Sequence, residues 1–136
     1  MDHASVALRA AVFARLSADA GLAGVIGASR VHDLPPPGAA YPYVTLGEMR
    51  LSDLSAGDAP LLEHQLVVHG WSQQGGHREA HAIAGAVMAA LDDAPLTLAG
   101  HRLVHLRFVL ADIRREADGR TYRAALRFRA VTEPLG

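Results

Sequence analysis

Eight histidines are the side chains best able to do chemistry in this 136-residue chain, since imidazole binds metals and titrates near neutrality. His77 and His81 lie four apart on a predicted helix, a spacing that aims both rings one way toward a divalent ion. The zinc-protease pattern needs Glu directly after the first His. Arg78 stands there instead, and Glu79, one position later, turns onto another face. His101 and His105 are spaced to share a strand face, whereas His64 and His69 fall on opposite faces. A metal-dependent enzyme built on His64, His69, His77, His81, His101 and His105 would need several elements to converge. Hydrogen-bonded or solvated histidine is the simpler expectation, with a pH-sensitive interface as a further use and no cofactor implied.

Other chemistries find less. Ser52, Ser55 and Ser72 fall in predicted loops, outside any Gly-x-Ser-x-Gly elbow. Gly21-Leu22-Ala23-Gly24 and Gly75-Gly76 lack the Lys and the strand-to-helix setting of a phosphate-binding loop. An anion at the helix start after Gly76 is conceivable, but a turn accounts for both glycines. The charge pattern that stands out is on the last predicted strand, where Arg123, Arg127 and Arg129 share one face with Arg107 on its partner. Such a face could neutralise phosphates, stand in solvent or meet acids of another subunit. Ala125 and Val131 interleave where stacking aromatics would serve a single-stranded nucleic acid. Trp71, the only tryptophan, ends a strand, a place for core packing or for anchoring an interface.

Composition narrows the classes. The chain is 50% apolar and 20% charged, has no cysteine, and its 13 basic and 14 acidic residues leave a net charge of −1. Disulfides, thiolate metal sites and a global pull toward nucleic acid or anionic lipid are set aside. All the basic residues are Arg, mostly a mark of GC-rich coding, though each is a planar fork suited to carboxylates. Met1-Asp2-His3 carries no basic leader, and no run reaches a membrane span, so neither export nor a membrane is expected.

The elements that would hold these residues follow from periodicity. Val6, Ala10, Phe13 and Leu16 recur at helical spacing between Ala4 and about Ala20, and Leu22 to Ile26 is a short helical turn ended by Gly27. Arg30 to Asp33 is a brief extended piece before the stiff connector Leu34-Pro35-Pro36-Pro37-Gly38. Tyr43 to Arg50 and Leu61 to Trp71 alternate as strands, joined by the small, polar stretch Leu51 to Pro60, a loop or flexible hairpin arm. The second strand sets Leu62, His64, Leu66 and Val68 against Glu63, Gln65, Val67, His69 and Trp71. His77 to Leu91 is a second helix with Ala80, Ile83, Val87 and Leu91 in line. Arg102 to Arg114 and Arg120 to Thr132 form a hairpin across the turn Glu116 to Gly119. Val104, Leu106, Phe108 and Leu110 face inward on its first strand, and Tyr122, Leu126 and Phe128 on its second. The expected fold is α+β in one domain, residues 1–136: an antiparallel sheet of about four strands with two helices packed on one face.

Several segments in this order resemble one family. They are the first helix, Leu22-Ala23-Gly24-Val25-Ile26-Gly27-Ala28-Ser29-Arg30-Val31-His32-Asp33 before the prolines, Tyr41-Pro42-Tyr43-Val44-Thr45-Leu46-Gly47, Val68-His69-Gly70-Trp71-Ser72, the Ala-rich helix, and Asp118-Gly119-Arg120-Thr121-Tyr122. Together they resemble the tail-completion or tail-terminator proteins of long-tailed phages and gene transfer agents. The resemblance implies a structural, non-catalytic subunit of a homohexameric ring that caps the tail tube. The ring would join the tail tube protein to a head-side connector or stopper protein, at the tail-head junction of the particle. DNA would pass through its lumen unread, and the subunit would be cytoplasmic before assembly. Another neck or minor tail component is the alternative in the same particle. A closing ring needs two complementary surfaces, and Glu48, Asp53, Asp58 and Glu63 stand against the arginines as such a pair. Arg107, Arg123, Arg127, Arg129, Asp53, Asp58 and Trp71 are the subunit-interface candidates.

Overall fold

The computed structural model describes residues 3–135; Met1, Asp2 and Gly136, with the reading of the N-terminal leader, lie outside the described residues. Helix α1 (Ala4–Ala18) starts on His3, whose ring accepts from the Ser5 amide, and α2 (Ala20–Ile26) starts on Asp19, whose carboxylate accepts from Leu22 N–H at 2.8 Å. Each side chain satisfies an amide that the first helical turn leaves free. Strands β1 (Val31–His32), β2 (Tyr43–Asp53) and β3 (Leu62–Ser72) follow, then α3 (Arg78–Leu91), β4 (His101–Arg115) and β5 (Tyr122–Pro134).

The strands form one five-stranded sheet in the order β1-β2-β3-β5-β4, antiparallel except for the short parallel pair β1 and β2. The α+β class holds, with a fifth strand and a third helix beyond those expected. The extra strand is the two-residue piece at Val31, too short for alternation to show. The extra helix is the expected turn at Leu22, lengthened by its Asp19 cap.

One face of the sheet carries Val44, Leu66, Val68, Leu126 and Phe128, which join Leu8, Val12, Leu16, Ile83, Val87 and Leu91 of the helices in a continuous core. Burying each such side chain contributes about 1.5–3 kcal/mol. Helix α3 lies on β3, β4 and β5, while α1 covers β1 and β2. Gly70 permits that close approach, because a Cβ there would stand 2.5 Å from Ile83 Cγ2. Arg9 ties α1 to the sheet by donating to the carbonyls of Gly47 at 2.8 Å and Leu46 at 3.1 Å, and by pairing with Asp33.

Two expected faces are corrected. On α1 the buried line is Ala4, Leu8, Val12 and Leu16, leaving Val6 54% and Phe13 37% exposed. The helix is so rich in alanine that two stripes compete, and the one with Leu8 and Val12 packs without the bulk of Phe13. On β4, register shifts next to Val104 and Val109 break the alternation. Leu106 and Phe108 still face the core, with Ala111 and Ile113, but Val104 is 42% and Leu110 41% exposed. Finally, Leu51–Asp53 continue β2. The chain then closes as a hairpin arm through Leu54 N–H to the Leu61 carbonyl and an Ala56 to Ala59 bridge around Gly57-Asp58.

Candidate functional site

The face of the sheet opposite the core gathers most of the expected interface residues. Register sets Trp71, Arg123 and Arg114 in one row, His69, Ala125 and Asp112 in the next, then Val67, Arg127 and Leu110, and finally Gln65, Arg129 and Arg107. Two rows thus place Arg directly across from Arg, an arrangement that destabilises a sheet unless acids intervene. Glu63 intervenes for Arg129 at 2.6 Å and Glu116 for Arg123 at 3.0 Å. Hydrogen bonding to Arg129 holds the Glu63 carboxyl below its ordinary pKa. Arg129 also lies 2.9 Å from His105 Nε2; burial, then the Arg129 charge, lowers the pKa of that imidazole, which accepts in its neutral form.

Arg107 and Arg127 are less engaged. Arg107 approaches Asp93 only to 3.9 Å with both groups exposed, a weak pair. The exposed Arg127 side chain has no ion pair or hydrogen bond among the described residues.

At the upper end of this face, Trp71 donates to Thr45 Oγ1 at 3.0 Å, stacks near Tyr43 and carries the Arg123 guanidinium 5.6 Å from its ring centre. Tyr41 packs beside Tyr43, so these rings cover the end of the sheet. Burial first, then the hydrogen bond with Tyr41, pushes the Tyr43 phenol up to about 12. Below them lies an open concavity of about 390 Å³ between Glu48, His69, Asp112, Arg114, Arg123 and Arg127. The His69 ring forms part of its lining with Nδ1 buried and unpartnered; burial, then Arg123, lowers its pKa. Gly47 makes room for that ring, since a Cβ would meet His69 Nε2 at 2.7 Å.

Asp53 and Asp58 do not join this face. They stand on the projecting arm, where Asp53 accepts from Ser55 N–H at 3.0 Å. The acidic and basic groups are also less separate than the sequence suggests, because Glu63 belongs to Arg129. Arg114 and Asp112 enter the face unannounced: unbroken alternation from Leu106 would turn both inward, and only the bulge at Val109 brings them out.

The histidines are dispersed. His64 is fully buried on the core side with Nε2 2.9 Å from Thr132 Oγ1, while His69 and His105 lie on the open face. His101 and His105, expected on one face, pair opposite Pro134 and Val131 on β5 and so point to opposite faces, because the shift next to Val104 falls between them. His77 precedes α3 against the Tyr122 ring, and His81 is exposed. Among the described residues no three His, Asp or Glu gather as a metal site, and no helix is long and apolar enough to cross a membrane.

The model of a family described as Tail completion protein gp17 matches residues 10–133. A chain of the virion of a native gene transfer agent particle is 37% identical, with a TM-score of 0.90 over 98% of this chain and 99% of that one. The gp17 protein of bacteriophage SPP1 shares the fold at 24% identity, with a TM-score of 0.64 over 98% of this chain and 91% of that one. Curated protein sequences yield no match. Fold and matches define a structural protein of the tails of phages and phage-like particles. The chain belongs to the tail completion protein gp17 family.

Proposed function

We propose that this protein is the tail terminator of a phage or gene-transfer-agent particle: a subunit of a six-membered ring that caps the tail tube and joins it to the head-side connector. Its neighbours in that reading are further copies of itself, the tail tube protein and the connector or stopper, with DNA crossing the lumen unread. The observation that carries the reading is the open sheet face. All the core-forming helices pack on the other side, and the open side sets Arg107 against Arg129 and Arg114 against Arg123. Like charges across a ladder cost folding stability, which suits a surface completed by an acidic partner. Arg107, Arg123, Arg127, Arg129 and Trp71 form one half of the subunit contact, and Asp53 and Asp58 belong to the other.

The test is charge reversal, Arg127→Glu with Arg129→Glu, in cells that make particles. The reading expects tails of uncontrolled length without attached heads. Particles with normal tail length and joined heads would refute the assignment of this face.

A further inference from the structure

Resting on that ring reading, we infer that the β2–β3 arm of one copy seats on the β4–β5 flank of the next, its acidic tip on Arg107 and Arg127 and its leucines beside Val109 and Leu110. Every residue from Leu51 to Pro60 is exposed, although the arm is a hydrogen-bonded ribbon. A two-stranded ribbon with both faces in water is marginal alone. This one carries Leu51 and Leu54 with Asp53 and Asp58, and no cation.

The flank offers the complement. β4 is the edge strand of the sheet, and beyond the bulge at Val109 no further strand pairs with it among the described residues. There the chain exposes Val109 and Leu110 beside Arg107, Arg114, Arg115 and Arg127, with three exposed acids near them: Asp112, Glu48 across the concavity, and Asp93 3.9 Å from Arg107. Glu63 and Glu116 are already held by Arg129 and Arg123. Acids and leucines on one element thus match arginines and apolar side chains on another. Because the two surfaces differ, the contact is head-to-tail, the kind that generates a ring when its rotation closes. Both halves lie on this chain, which selects a second copy as the occupant.

The test compares three variants for tail length and head attachment: Asp58→Arg, Arg107→Asp with Arg127→Asp, and all three substitutions together. Like charges brought together oppose association, so each reversal alone should lower the yield of head-joined tails by about tenfold or more, and the combination should recover it. If the combination stays as defective as Asp58→Arg alone, the arm meets a different protein; this inference then fails while the ring reading stands. If none of the three alters the particles, this inference and the assignment of the Arg face to the subunit contact both fail. Independently, Asp58→Cys with Arg127→Cys in this cysteine-free chain should give a disulfide-linked ladder in assembled particles, where each single variant stops at a dimer. Intact particles without the ladder overturn the seating.

Discussion

Replacing Gly70 by Ala should loosen the layer of α3 on the sheet, by an amount that depends on Ile83. The added methyl would lie 2.5 Å from Ile83 Cγ2 and 3.2 Å from Ile83 Cβ, with the Ala124 methyl 3.7 Å away on another side. Carbon atoms pack best at about 3.5–4.0 Å, so helix and strand must part by roughly 1 Å. Ile83 is fully buried and its Cγ2 is fixed to the Cβ of a helical residue, so it cannot swing aside. Overpacking of this kind costs about 1–3 kcal/mol, offset by about 0.5–1 kcal/mol because Ala loses less backbone freedom than Gly. The expected net loss is about 1–2 kcal/mol. With a urea slope of about 1.5 kcal/mol/M, the unfolding midpoint falls by roughly 1 M. Ile83→Ala alone should cost about 2–5 kcal/mol. Combined with Gly70→Ala it should cost at least about 1 kcal/mol less than the sum, because the new methyl occupies the vacated space. Ile83→Val keeps Cγ2 and should give no such relief. A Gly70→Ala protein as stable as the parent, or strict additivity with Ile83→Ala, would refute the seating of α3 against β3.

Arg9→Ala removes the donors to Leu46 and Gly47 and the pair with Asp33. With the side chain about one third exposed, the expected cost is about 1–2 kcal/mol by urea unfolding, and Arg9→Lys should recover little because an ammonium lacks the planar fork. Burial first lowers the pKa of His64, His69 and His105 below 6.5 in the folded protein. The unfolded chain therefore takes up protons first on acidification, so stability is full above about pH 6.5 and declines as the pH falls below it. His64→Gln, which can still bond Thr132, should flatten part of that decline, and a midpoint independent of pH across this window would contradict the burial of these rings.

Much of the fold was legible because single signals decide it. Alternation from Leu62 to Trp71 separates the two faces of β3 correctly, and Ala80, Ile83, Val87 and Leu91 mark the buried line of α3. Asp118-Gly119 marks the hairpin turn, where the Asp118 carboxylate accepts from the Arg120 and Thr121 amides. What escaped depends on partners far along the chain. The bulges at Val104 and Val109 arise from how β4 lies on β5, and alternation within β4 cannot register an extra residue. They hide the outward turn of Arg114 and Asp112 and the separation of His101 from His105. The Arg face of β5 could be read from its period of two, but its pairing with Glu63 rests on the alignment of β3 with β5 across many intervening residues.

In the proposed role this chain ends the tail and joins it to the head. The most direct measurement is electron microscopy of particles from cells lacking the chain, then supplied with either the parent protein or the Arg127→Glu, Arg129→Glu variant. Overlong, headless tails are expected without the chain, normal head-joined tails with the parent protein, and overlong tails again with the variant. Tails of normal length attached to heads in the absence of the chain would contradict that role.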